Sequence, residues 1–116
     1  MNKNIYVKKI NTIGNYAVWL MDGALIRKEI NENFVKCADN NQFGFVPKNE
    51  FWIEQALSPK ERNFIILHEL HERYLMSQGK SYKNAHIGAT EVEDYYRENP
   101  KEDLEVRIKE EMRKNE

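Results

Sequence analysis

The four residues Ser58-Pro59-Lys60-Glu61 separate two different kinds of sequence within this chain. A serine at the N-cap, a proline at the first helical position and a glutamate at the third satisfy or avoid the backbone donors that a helix start leaves open. Apolar residues then recur at helical spacing as far as Gly79, whose missing β-carbon suits a helix stop, so a helix is expected over 59–78. A second helix is expected after Ser81 and before Asn99, and Asn99-Pro100 opens a third, charge-rich one that continues to the C-terminus. Its apolar stripe of Leu104, Ile108 and Met112 is narrow, which suits a solvated helix docked by one edge.

Upstream of Ser58 the pattern is that of short strands. Residues 5–10, 16–21 and 24–27 are short apolar runs, rich in β-branched and aromatic side chains, separated by turn signals. Asp22-Gly23 reads as a hairpin turn between the second and third runs, and Gly14-Asn15 as a weaker turn between the first and second. Residues 39–42 form a polar loop, 43–46 a further strand stopped by Pro47, and 51–53 an extended run at a sheet edge. The expected fold is α+β in a single domain over 1–116. A small antiparallel sheet in about 1–57 packs on two or three helices in about 58–116.

Charge and composition weigh against several functions, though a net charge near zero leaves room for a local basic patch. Eighteen basic residues against 19 acidic leave a net charge of -1, whereas a nucleic-acid binder advertises a basic excess. No apolar run approaches the roughly 20 residues of a membrane helix. The start, Met1-Asn2-Lys3-Asn4, carries a lysine without the apolar stretch a signal peptide needs. Cys37 is the single cysteine, so neither an internal disulfide nor a thiolate zinc knuckle is expected, and no local pattern activates it as a nucleophile. These features describe a soluble, cytoplasmic domain that leaves both substrate or protein partner and oligomeric state open.

The chemistry concentrates in Ile65-Ile66-Leu67-His68-Glu69-Leu70-His71-Glu72-Arg73. At about 100° per residue, His68 and Glu72 lie about 40° apart on the helix surface, and His71 about 60° from His68. Both imidazoles fall within the arc of Phe64, Leu67, Leu70, Tyr74 and Leu75. Glu72 stands at its border and Glu69 outside it. A buried carboxylate needs a partner, and a divalent metal is one. The order His68-Glu69-x-x-Glu72 has the spacing of the zincin helix with a glutamate at the second ligand position, and Glu69 then stands where a general base belongs. His71 is a third ligand at a stretch, or a group behind the ligands. On the next helix His86 and Glu93 share a face, and the small residues Ala85, Gly88 and Ala89 permit close approach. The candidate ligands are thus His68, Glu72, His86 and Glu93, with His71 beside them, a mixed nitrogen and oxygen set for zinc first, with manganese or iron also compatible. The competing reading is a hydrogen-bonded polar network with Arg73 or the tyrosines. Arg73 itself is either a surface residue or a clamp on Glu69 or Glu50, and Trp19 and Trp52 are core or sheet-face residues rather than a stacking platform.

Beyond these residues, three motifs resemble a small family of archaeal, bacterial and phage proteins. They are Met21-Asp22-Gly23-Ala24-Leu25-Ile26-Arg27, Val46-Pro47-Lys48-Asn49-Glu50-Phe51-Trp52-Ile53, and Leu67-His68-Glu69-Leu70-His71-Glu72-Arg73-Tyr74-Leu75-Met76, followed by Gly79, Tyr82, Ala85-His86, Ala89 and Glu93. The His-Glu-Leu-His-Glu-Arg run is the most specific of them, and the likeness spans about residues 18–96. It implies that Asp22, Arg27, Glu50, Trp52, His68, Glu69, His71, Glu72, Arg73 and His86 form one site, and it brings no activity with it. Glu54 and Lys36-Cys37-Ala38 depart from the pattern. A more distant likeness to minimal zincin metallopeptidases rests on the His-Glu helix beside a small sheet. Two functions are therefore expected. One is a metal-dependent hydrolase of peptide or amide bonds. The other is a non-catalytic interaction module, such as a phage-encoded inhibitor or adaptor, whose metal or polar cluster staples two helices.

Overall fold

The structure, a computed structural model, describes residues 3–13 and 15–116. Gly14 of the expected Gly14-Asn15 turn, and Met1 and Asn2 of the N-terminal stretch read above for a leader, lie outside the described residues. The chain forms two compact units, Met1–Ser58 and Pro59–Glu116. The first holds the sheet and the second is helical, so the class is α+β.

Among the described residues the first unit has strands β1 (Tyr6–Ile13), β2 (Tyr16–Met21), β3 (Cys37–Ala38) and β4 (Glu50–Glu54), and helix α1 (Gly23–Glu29). The sheet order is β1-β2-β4-β3. β1 pairs antiparallel with β2, and β3 antiparallel with β4, but β2 and β4 run parallel with Trp19 opposite Trp52. The sheet is therefore mixed rather than wholly antiparallel. A parallel pair needs a long crossover, which residues 22–49 supply. This places 51–53 inside the sheet rather than at its edge, and Phe51, Trp52 and Ile53 are buried.

The expected strand over 24–27 is helix α1. The Asp22 side chain accepts from the Leu25 backbone N–H at 3.1 Å, which caps a helix instead of closing a hairpin. Gly23 has a packing reason as well, since a β-carbon there would overlap the Glu54 carboxylate. Residues 43–46 are turns, not a strand. Asp39 accepts from the Gln42 and Phe43 backbone N–H groups, and Asn40 Nδ2 donates to the Val46 carbonyl at 2.9 Å. Val46 still joins Ile5, Met21, Ile26, Phe34, Ala38 and Trp52 in the core of this unit, so its apolar character serves burial without pairing.

The second unit consists of α2 (Pro59–Ser77), α3 (Tyr82–Glu98) and α4 (Leu104–Lys114), with α2 packed on both others. α2 ends in a Schellman turn. Gly79 has φ of +96°, its N–H donates to the Met76 carbonyl at 3.0 Å, and Lys80 N–H donates to Leu75 at 3.1 Å. Ser81 caps α3 through the Asn84 N–H, so only the four residues 78–81 turn the chain back on itself. Ala85 and Ala89 are buried, and a β-carbon on Gly88 would meet Leu75 Cδ1 at 2.7 Å, the close approach that small residues allow. α4 begins at Leu104 rather than at Pro100. Glu102 N–H closes a turn on the Asn99 carbonyl, and Asp103 is the residue that caps, accepting from Val106 N–H at 3.1 Å. Among the described residues no helix is long and apolar enough to cross a membrane.

A candidate metal site on the helical hairpin

One turn of α2 separates His68 from Glu72, and the Gly79 turn brings His86 of α3 against both. Glu72 Oε2 lies 3.1 Å from His68 Nε2 and 2.9 Å from His86 Nδ1, and the two ring nitrogens are 3.2 Å apart. These three atoms form a nearly equilateral triangle. Donors held about 2.0–2.2 Å from one tetrahedral ion sit roughly 3.3 Å apart, within a few tenths of an ångström of this spacing. Glu72 is 3% exposed and His86 53%, so the triangle has a closed floor and one side open to solvent.

Glu93 does not complete the triangle. Its Oε1 lies 2.9 Å from His68 Nδ1, on the opposite edge of the ring from Nε2. An ionised carboxylate only accepts, so Glu93 favours a proton on Nδ1 while Glu72 competes for it at Nε2; with the proton on Nδ1, the Nε2 lone pair is free for an ion. Glu93, expected beside the other candidate ligands, thus lies behind the His68 ring rather than next to the other three donor atoms. Burial pulls the His68 pKa down, but the hydrogen bond and charge of Glu72, with the charge and hydrogen bond of Glu93, outweigh that and raise it above the ordinary histidine value. The cluster thus attracts a cation, whether proton or metal.

His71 also stands apart from the triangle. It faces α4, where its Nδ1 pairs with Glu111 Oε1. Glu111 is fully buried and has Lys114 Nζ at 3.2 Å and Arg107 Nε at 3.7 Å. Burial pushes the Glu111 carboxyl up, yet the His71 hydrogen bond and Lys114 outweigh it and hold the group below its ordinary range. The rotation of about 100° between neighbouring helical residues explains the parting of His71 from Glu72. Glu69 is buried, contrary to its expected place outside the apolar arc, and Phe64, Ile65, Ile66, Leu67, Leu70 and Glu72 are buried with it. A Glu69 carboxylate oxygen lies within 4.8 Å of one from Glu72. Arg73 is half-buried on α2.

The remaining expected residues work inside the first unit. Asp22 caps α1; Arg27 Nη1 donates to Glu54 Oε2 at 3.4 Å and to the Phe34 carbonyl at 3.3 Å. Glu50 Oε1 accepts from the Tyr6 hydroxyl at 2.6 Å and from Trp52 Nε1 at 2.9 Å. Trp52 is a core residue in contact with the Tyr6 and Phe45 rings.

Three residues had no place in the site read from sequence: Glu61, read there only as part of a helix cap, Arg97, which donates to both Glu61 and Glu93, and Glu111. Arg97 follows Glu93 by one turn, and Glu111 follows Leu104 by seven residues, which returns it to the apolar stripe of α4. Both signals were present as spacings. No protein-family model, curated protein or solved structure matches the chain. The functional reading rests on these atoms.

Proposed function

We propose that the chain is a metal-dependent hydrolase of zincin-like geometry, in which His68, Glu72 and His86 hold one divalent ion and peptide or amide bonds are the substrates. The observation that carries this is the convergence of three potential donor atoms, His68 Nε2, His86 Nδ1 and Glu72 Oε2, with solvent on the remaining side. Two imidazole nitrogens and one carboxylate oxygen suit zinc, and manganese or iron accept the same set. An ion there supplies Lewis acidity toward a carbonyl and lowers the pKa of water. In this reading Glu69 takes the proton of the attacking water and returns it to the leaving amine, the role its place after His68 favours. The resemblance to the archaeal, bacterial and phage family, and a cytoplasmic location, belong to this same proposal.

A second reading has its own support. The donors come from both arms of a hairpin, so an ion would cross-link α2 to α3 and serve a non-catalytic inhibitor or adaptor as a staple. One comparison separates the two. Protein purified without a histidine tag is analysed for metal, and Glu69→Gln is compared with wild type for melting temperature, metal content and peptidase activity. The hydrolase reading expects about one ion per chain and a folded, metal-loaded variant with activity lowered roughly 100-fold. Wild-type peptidase activity in the folded variant removes Glu69 as the base, a metal-loaded wild type without peptidase activity leaves the staple, and absence of stoichiometric metal removes both metal readings.

A further inference from the structure

We infer that Arg97 is a positioning residue for the three donors: acting through Glu93, it fixes the tautomer and tilt of the His68 ring so that the Nε2 lone pair faces the ion. The inference rests on the proposed metal site and adds a residue that neither the His-Glu helix nor its motif contains.

Arg97 is held on three sides. Nη1 and Nη2 donate to the two oxygens of Glu61 in the first turn of α2, at 2.9 and 2.6 Å. Nε donates to Glu93 Oε2 at 2.7 Å, and the guanidinium carbon lies 4.4 Å from the centre of the Phe64 ring. Because the guanidinium is planar and rigid, fixing both Nη atoms fixes the direction of the Nε–H as well. That hydrogen bond pins one oxygen of Glu93 and leaves the other on His68 Nδ1. A lone carboxylate could rotate about its side-chain bonds and let the imidazole turn; one anchored to Arg97 has its hydrogen-bond direction set. Glu61, Arg97, Glu93 and His68 therefore form one relay across two helices that ends at the triangle. Charge points the same way. Along this relay and Glu72, three carboxylates face one guanidinium, an excess of negative charge that favours a cation. Groups behind metal-binding histidines act on affinity through ring orientation and ligand basicity, commonly by 10–100-fold.

The test compares wild type with Arg97→Gln and Arg97→Lys. Two-bond proton–nitrogen spectra of the imidazoles, taken on metal-free protein at alkaline pH, report which ring nitrogen carries the proton. Zinc affinity is measured by competition with a chromophoric chelator. We expect His68 to be protonated at Nδ1 in wild type, to become a tautomer mixture in Arg97→Gln, and zinc affinity to fall about 10–100-fold with it. Arg97→Lys should recover part of both, since it keeps a charge beside Glu93 but cannot span to both oxygens of Glu61. If Arg97→Gln fails to fold, Glu61→Gln leaves Arg97 and Glu93 in place and should shift both readings in the same direction by less. An unchanged tautomer overturns the inference even if zinc binds more weakly, because Arg97 would then act on the fold alone. Unchanged affinity with a shifted tautomer overturns it too. If wild type binds no zinc, the metal reading fails separately, and the tautomer comparison still decides whether Arg97 sets the His68 ring.

Discussion

Glu111 gives the sharpest energetic test of the helical unit. It is a fully buried carboxylate on α4, bound to His71 of α2 and approached by Lys114 and Arg107 of its own helix. Glu111→Ala deprives the largely buried His71 Nδ1 of its partner and leaves a void where the carboxylate stood. Lys114 is 40% exposed and Arg107 stands at 3.7 Å, so solvent screening leaves both a small share. The larger part is the His71 hydrogen bond, about 1–3 kcal/mol, with the rest from the void, for a total of about 3 kcal/mol. For a chain of this length that lowers the melting temperature by about 12–15 °C. The pH dependence follows from the direction of the Glu111 shift. A carboxyl held below its ordinary value of 4.5 contributes fully above that value and loses its contribution as pH falls through the lower, folded one. Thermal melts by circular dichroism at neutral pH and near pH 3 should therefore show the gap between wild type and Glu111→Ala narrowing in acid. A gap under about 4 °C at neutral pH, or one of equal size at both, refutes the assignment of Glu111 as an ionised latch between α4 and α2.

Three further outcomes can be checked. Zinc affinity should fall steeply as pH drops, because protons compete for the His68 nitrogen, whose pKa the surrounding carboxylates raise; pH-independent affinity in chelator titrations would contradict histidine ligation. Gly79→Ala should cost about 1 kcal/mol, since φ of +96° is strained for any residue with a β-carbon, and urea melts read the loss directly. Asp22→Ala should cost about 1 kcal/mol by removing the α1 cap, with no change in zinc affinity.

How much of this was legible in sequence depends on whether local or distant atoms decide. The helical hairpin was readable because its signals are local: a capping box, a glycine stop, a capping serine and small residues at the contact. The meeting of His68, Glu72 and His86 follows from helical spacing plus that short turn. What spacing could not say is which nitrogen of His68 faces which carboxylate, so Glu93 read as a ligand although it lies on the far edge of the ring. Asp22-Gly23 was ambiguous for a different reason. The same pair closes hairpins and starts helices; here Asp22 caps α1, and Gly23 makes room for Glu54, from a strand about thirty residues on. The helix formers Ala24, Leu25 and Arg27 were the overlooked local hint. The turns over 43–46 hid behind apolar side chains that are buried without joining a strand.

The parallel pairing of β2 with β4 has a kinetic consequence. β1 meets β2 across a short link, with Ile13 opposite Tyr16, so that pair can form among the earliest contacts. Trp19 reaches Trp52 only after the whole crossover has been ordered, which makes the central pairing a late, high-contact-order event. Until then β2, with Val18 and Leu20 destined for burial, has one hydrogen-bonding edge unmatched. An unmatched apolar edge is a template for the same segment of another molecule. The yield of folded chain should therefore fall with protein concentration during refolding, and the loss should trace to the sheet unit rather than to the helices.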